Sequence, residues 1–152
     1  MNKIIDGIKI SSEIKEEIKE EVSLIKEHGG RAPSLCIVLV GNHSASRIYV
    51  KAKIRACEEV GIDVDLITLN DNILQAELLD LIKKLNNKKS LDGFIVQLPL
   101  PDQINVQNVI DSINPDKDVD GFTNDNIGSI TSNIKKLLPA TGLGVMLSLI
   151  HI

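Results

Sequence analysis

The chain has 152 residues, 43% of them apolar and 25% charged, with a net charge of −4. That is enough for one domain with a packed core and too little for two comfortable ones. The acidic balance and scattered cations argue against nucleic acid, which needs a clustered basic face, and no apolar run nears the roughly 20 residues that span a membrane. The N-terminal MNKIIDGIKI lacks the long apolar core of a signal peptide, so a cytoplasmic protein is expected. With one Tyr, two Phe and no Trp, the core falls to Ile, Leu and Val.

Ser11 and Ser12 are expected to cap a charged helix running to about Glu27, with Ile14, Ile18, Val22 and Ile25 on one face. Gly29 and Gly30 end it. The continuous apolar run Ser34–Val40 (SLCIVLV) reads as a strand covered on both faces and stops at Gly41. A second helix is expected from about Ser46 to Val60, with Gly61 as its stop. Asp63–Leu69 alternates as a strand, and Gln75–Leu85 reads as a helix closed by Asn86 and Asn87. Lys83, Lys84, Lys88 and Lys89 gather at that helix end, where cations complement the dipole. Gly93–Gln97 is a short apolar strand cut by Pro99-Leu100-Pro101, and Val106–Ile113 a short helix stopped before Pro115. Cys36 and Cys57 lack CxxC spacing and read as buried free thiols.

Alternating strands and helices predict an α/β fold: a three-layer domain with a mostly parallel sheet flanked by helices. Ligands in such folds sit beyond the carboxyl ends of the strands. That rule selects residues 41–46, 97–101 and the loop 116–121. Tyr49 and Lys53 are four apart on the second helix and share a face. A lysine partly desolvated against the ring would have its pKa lowered and could pass protons; the alternative is a surface stem packed on the tyrosine. Gln97 closes an apolar strand before a rigid turn. Its amide either satisfies local backbone or points into a site, where it could steer a lysine.

Asp116, Asp118 and Asp120 crowd one loop. With Gly121 they match the first half of an EF-hand calcium loop, but the twelfth position is Ile127 where a bidentate Glu is required, and Pro115 blocks a helix running in. His28, His43 and His151 share no metal-ligand spacing, so no metal is expected. No P-loop, HExxH, GxSxG or GxGxxG occurs.

The blocks VGNHSASRIYVKAKIRACEEVGI, DGFIVQLPLP and PDKDVDGF, in this order, resemble the signature segments of the bifunctional methylenetetrahydrofolate dehydrogenase/cyclohydrolase family, from about Ile4 to Met146. The resemblance implies oxidation of 5,10-methylenetetrahydrofolate with NADP, then hydrolysis of the methenyl product to 10-formyltetrahydrofolate, in one-carbon metabolism and purine biosynthesis. Lys53 in YVKAK matches the lysine that relays protons in the hydrolysis, and Gln97 the glutamine that tunes it. Tyr49 matches the tyrosine stacked on the folate aminobenzoyl ring, and Asp120 the aspartate that binds the pterin; Leu98 would help wall the pocket.

The family has Pro-Cys-Thr where this chain has Pro139-Ala140-Thr141, which implies a minor packing difference. The resemblance further implies that residues 1–146 form an incomplete folate-binding domain and that the NADP-binding Rossmann domain is absent. No cofactor is then held by this chain. Residues 147–152 depart from the family pattern and are expected to be a non-native tail. A homodimer is implied for the family, and a non-catalytic folate-binding fragment is the alternative to an enzyme.

Overall fold

The computed structural model describes residues 5–132 and 136–150. Helix α1 (Gly7–Glu27) begins more than a turn before Ser11, because the Asp6 side chain accepts from the Lys9 amide at 3.0 Å. A cap at Asp6 serves an N–H that has no partner inside the helix. Ser11 and Ser12 therefore lie inside α1 instead of starting it. Strand β1 (Ser34–Val40) follows, then α2 (Ser44–Val60), which stops at Gly61 in the left-handed conformation with φ 82°. Strand β2 spans Asp63–Leu69.

Helix α3 (Gln75–Asn87) takes Asn86 and Asn87 into its last turn instead of closing before them. Asn86 Nδ2 donates to the Ser112 carbonyl at 2.7 Å while its Oδ1 accepts from the Asn114 amide at 2.9 Å. That double tie needs Asn86 on the helix. Strand β3 (Gly93–Gln97) leads to a cis Leu98–Pro99 bond and then α4 (Val106–Ser112). A 3₁₀ turn (Pro115–Lys117), α5 (Asn124–Ser132) and α6 (Ala140–Ile150) complete the described elements. Residues 147–150 of the expected tail continue α6; 151–152 lie outside the described residues, as do 1–4 at the other end.

The three strands are parallel in the order β2-β1-β3. The expected α/β architecture is present, with the apolar run of β1 at the centre. Alternate residues of β1 serve opposite faces. Ile37 and Leu39 pack with Val50 and Ile54 of α2; Cys36, Val38 and Val40 pack with Leu78, Ile82 and Leu85 of α3 and Val109 of α4. Both cysteines are buried free thiols, as expected.

The outer edge of β3 is closed by the acidic loop, where Asp118 bridges Phe94 in the parallel sense. Gly93 makes the approach possible, since a Cβ there would collide with Val119 Cγ1. This contact decides where Asp118 and Asp120 sit. In contrast, α6 buries none of its residues, and Leu143, Val145, Met146, Leu149 and Ile150 are all exposed.

Candidate active site

Gln97 at the carboxyl end of β3 and Asp120 of the acidic loop meet at the amine of Lys53 from α2. Lys53 Nζ donates to Gln97 Oε1 at 3.2 Å and lies 3.8 Å from Asp120 Oδ1. The two charged side chains keep 35% and 20% of their surface. They are open enough to meet a ligand and closed enough for their electrostatics to count.

Gln97 resolves the choice left by its sequence position by doing both things. Its Nε2 donates to the carbonyl of Leu98 at 2.9 Å. A carbonyl cannot donate, so the NH₂ end must face it and the acceptor end must face the lysine. The amide orientation is thus set by the main chain. Tyr49 stands one turn before Lys53 and is 65% exposed. The partners of the lysine are Gln97 and Asp120, and the tyrosine is open to solvent. Leu98 lines a narrow apolar cleft with Ile110, Phe122 and Asp120.

Burial in those surroundings pushes the Asp120 carboxyl above the ordinary carboxylate range; the Lys53 cation opposes this, and the Asp118 charge adds to it. A carboxyl whose charge is disfavoured, beside an amine that also donates to an amide oxygen, is an arrangement that can hold and exchange a proton.

Asp118 is a different kind of group, although it stands two residues away. It is 2% exposed. Its Oδ1 accepts from the Gly121 amide at 3.0 Å, and its Oδ2 from the Thr123 amide at 2.7 Å and Asn126 Nδ2 at 3.0 Å. Both oxygens are engaged by donors of the protein itself. Asp120 is paired with Lys53 and Asp116 is exposed. Among the described residues no group of three or more His, Cys, Asp or Glu could hold a metal, so nothing in the geometry favours the calcium-loop alternative. Lys117 is equally structural, its Nζ donating to the carbonyls of Leu85 at 3.0 Å and Lys88 at 2.8 Å at the end of α3.

The lysine group at that helix end is a solvated surface, with Lys88 paired to Asp65 at 3.6 Å. Among the described residues, no helix is long and apolar enough to cross a membrane.

Two residues beside the site were not singled out from the sequence. Ser46, 2% exposed, sits with Oγ 3.4 Å from the Leu98 carbonyl and 3.4 Å from His43 Nδ1. The only sequence signal was their place in the turn after Gly41, where the ligand rule for such folds already pointed.

Comparison with known proteins agrees with this geometry. The family described as tetrahydrofolate dehydrogenase/cyclohydrolase, catalytic domain, matches residues 5–120. The bifunctional protein FolD of Christiangramia forsetii is 47% identical over 143 residues, 94% of this chain and 48% of the relative. The solved bifunctional FolD of Campylobacter jejuni superposes with a TM-score of 0.93 at 45% identity, covering 97% of this chain and 52% of that one. The Trypanosoma brucei enzyme, solved with NADP cofactor and inhibitor, superposes with a TM-score of 0.88 at 30% identity, covering 95% and 50%. The chain spans about half the length of the curated relatives it matches.

Proposed function

The chain belongs to the tetrahydrofolate dehydrogenase/cyclohydrolase family, and from that membership we propose that the Lys53 cleft binds a one-carbon-bridged tetrahydrofolate and hydrolyses its methenyl form. The observation that carries the reading is the contact of Lys53 with both Gln97 and Asp120. Water adds to the methenyl carbon and one of its protons passes to Lys53 Nζ, which must first give up the ammonium proton it holds beside Asp120. The bridge then opens at one nitrogen, which takes that proton back, while the hydroxyl on the carbon loses its own proton to solvent as the carbonyl forms, so the carbon stays on the other nitrogen as a formyl group and one proton is released overall. Gln97 holds the amine on line by accepting from it. Asp120 meets the pterin edge, Tyr49 stacks on the aminobenzoyl ring, and Leu98 walls the cleft.

In the whole protein the same pocket would first pass a hydride from the methylene bridge to NADP. Among the described residues, the turn where a dinucleotide pyrophosphate would sit does not fit one. The β1–α2 turn reads Gly41-Asn42-His43-Ser44, with one glycine where a pyrophosphate cradle uses three. The proton chemistry is therefore the part assigned to this chain, as a cytoplasmic folate-site domain over residues 1–146, with homodimer formation as in the family expectation. The test is calorimetry with a folate analogue beside a methenyl-hydrolysis assay on the 152-residue chain. Binding with turnover supports the reading, binding alone leaves a folate-binding domain, and no binding overturns both.

A further inference from the structure

The Ser46 hydroxyl is a buried polar group that the hydrolysis does not use. Its oxygen is equidistant, at 3.4 Å, from His43 Nδ1 and the Leu98 carbonyl. That carbonyl also accepts from Gln97 Nε2 at 2.9 Å, and Gln97 Oε1 accepts from Lys53 Nζ at 3.2 Å. The contacts form one unbroken chain from an exposed imidazole to the amine.

A hydroxyl has one proton, so Ser46 donates to only one neighbour at a time. The equal distances leave the choice to His43. With a hydrogen on Nδ1, the imidazole donates to Ser46 and the hydroxyl turns to Leu98, where two donors then share one oxygen. With Nδ1 bare, Ser46 donates to it and Leu98 is left to Gln97 alone. We propose that His43 is a positioning residue whose protonation, passed through Ser46 and the Leu98 carbonyl, sets how firmly Gln97 holds Lys53.

The other charged groups at this end of α2 do not reach the chain of contacts. Arg47, one turn on, gives Nη1 to Asn42 Oδ1 at 2.6 Å. Asp71 packs against Gly41, its Cβ 3.3 Å from where a side chain there would begin. The 98–101 turn carries no titratable residue and is followed by Asp102.

The proposal rests on reading Lys53 and Gln97 as the site, but its readout needs neither folate nor turnover. The Gln97 side-chain amide and the His43 ring are followed by NMR across the pH range of imidazole titration. In the parent chain the amide signal should shift with the midpoint of the His43 ring, toward a weaker hydrogen bond as pH falls. In Ser46→Ala the ring should still titrate while the amide stays still, and in His43→Gln the shift should vanish. In Asp120→Asn it should persist with its midpoint unmoved. An amide that ignores pH in the parent, or follows it undiminished in Ser46→Ala or His43→Gln, overturns the relay. So does a shift lost in Asp120→Asn while His43 still titrates, because the aspartate would then be its source.

Discussion

Asp118 and Asp120 stand two residues apart on one loop and work in opposite ways. Asp118 is surrounded by three donors and nearly sealed from water. Asp120 has the Lys53 amine at 3.8 Å and an apolar cleft beside it. The first is a fastener whose every oxygen is used; the second is a carboxyl whose surroundings disfavour its charge. A loop can be made stiff by one residue so that its neighbour can be left unsatisfied, which is how reactive groups are usually kept in place.

The sharpest break in that contrast comes from the site side. Lys53→Ala should lower methenyl hydrolysis by about 10²-fold or more, the ordinary size of acid–base catalysis, with the urea midpoint unchanged. Hydrolysis at the parent rate would remove Lys53 from its role.

Asp118→Ala should do the reverse. It orphans three buried donors at about 1–3 kcal/mol each before relaxation, so a loss of about 3 kcal/mol or more is expected from urea denaturation. A loss below about 1 kcal/mol would show that Asp118 is not the fastener.

Gly121→Ala tests the same loop through its backbone. Gly121 has φ 70°, and a Cβ would lie 2.6 Å from the Leu138 carbonyl carbon and from Pro139 N. A left-handed non-glycine residue costs about 1–3 kcal/mol, and the collision adds to that. A chain as stable as the parent would disprove the close approach.

The smallest effect is the most telling. Because burial raises the Asp120 carboxyl, the folded protein favours its protonated form. Its contribution to stability is then fully present below the unfolded carboxylate value and lost as pH rises through the raised folded one. Asp120→Asn should therefore keep or slightly raise the melting temperature at neutral pH and flatten its dependence on pH above about 4, while folate-analogue affinity falls. A large drop in melting temperature would make Asp120 a second fastener and erase the contrast.

The three strands were legible to the residue because period and punctuation are local properties. β1 is one apolar run between Pro33 and Gly41, and β3 lies between Asp92 and a proline turn. The juxtaposition of Lys53, Gln97 and Asp120 came from resemblance; spacing had only put Tyr49 and Lys53 on one face of a helix. The different fates of the three aspartates were not readable, since which one is buried depends on the gap left by Gly93, 25 positions before Asp118. The start of α1 was missed for a similar reason. Asp6 and Ser11 are both good caps, and only the backbone decides between them. Asn86 and Asn87 looked like a stop because the partners that keep Asn86 on the helix, Ser112 and Asn114, lie on the far side of α4.

The orientation of Gln97 hangs on the carbonyl of Leu98, an atom that every amino acid possesses. Changing the side chain at position 98 alters the cleft wall without touching that pivot, and no codon can delete it. A scan of substitutions there would therefore report on the cleft wall and never on the acceptor that orients Gln97. Only a change to the backbone itself, such as an ester in place of the following amide, would expose what it holds.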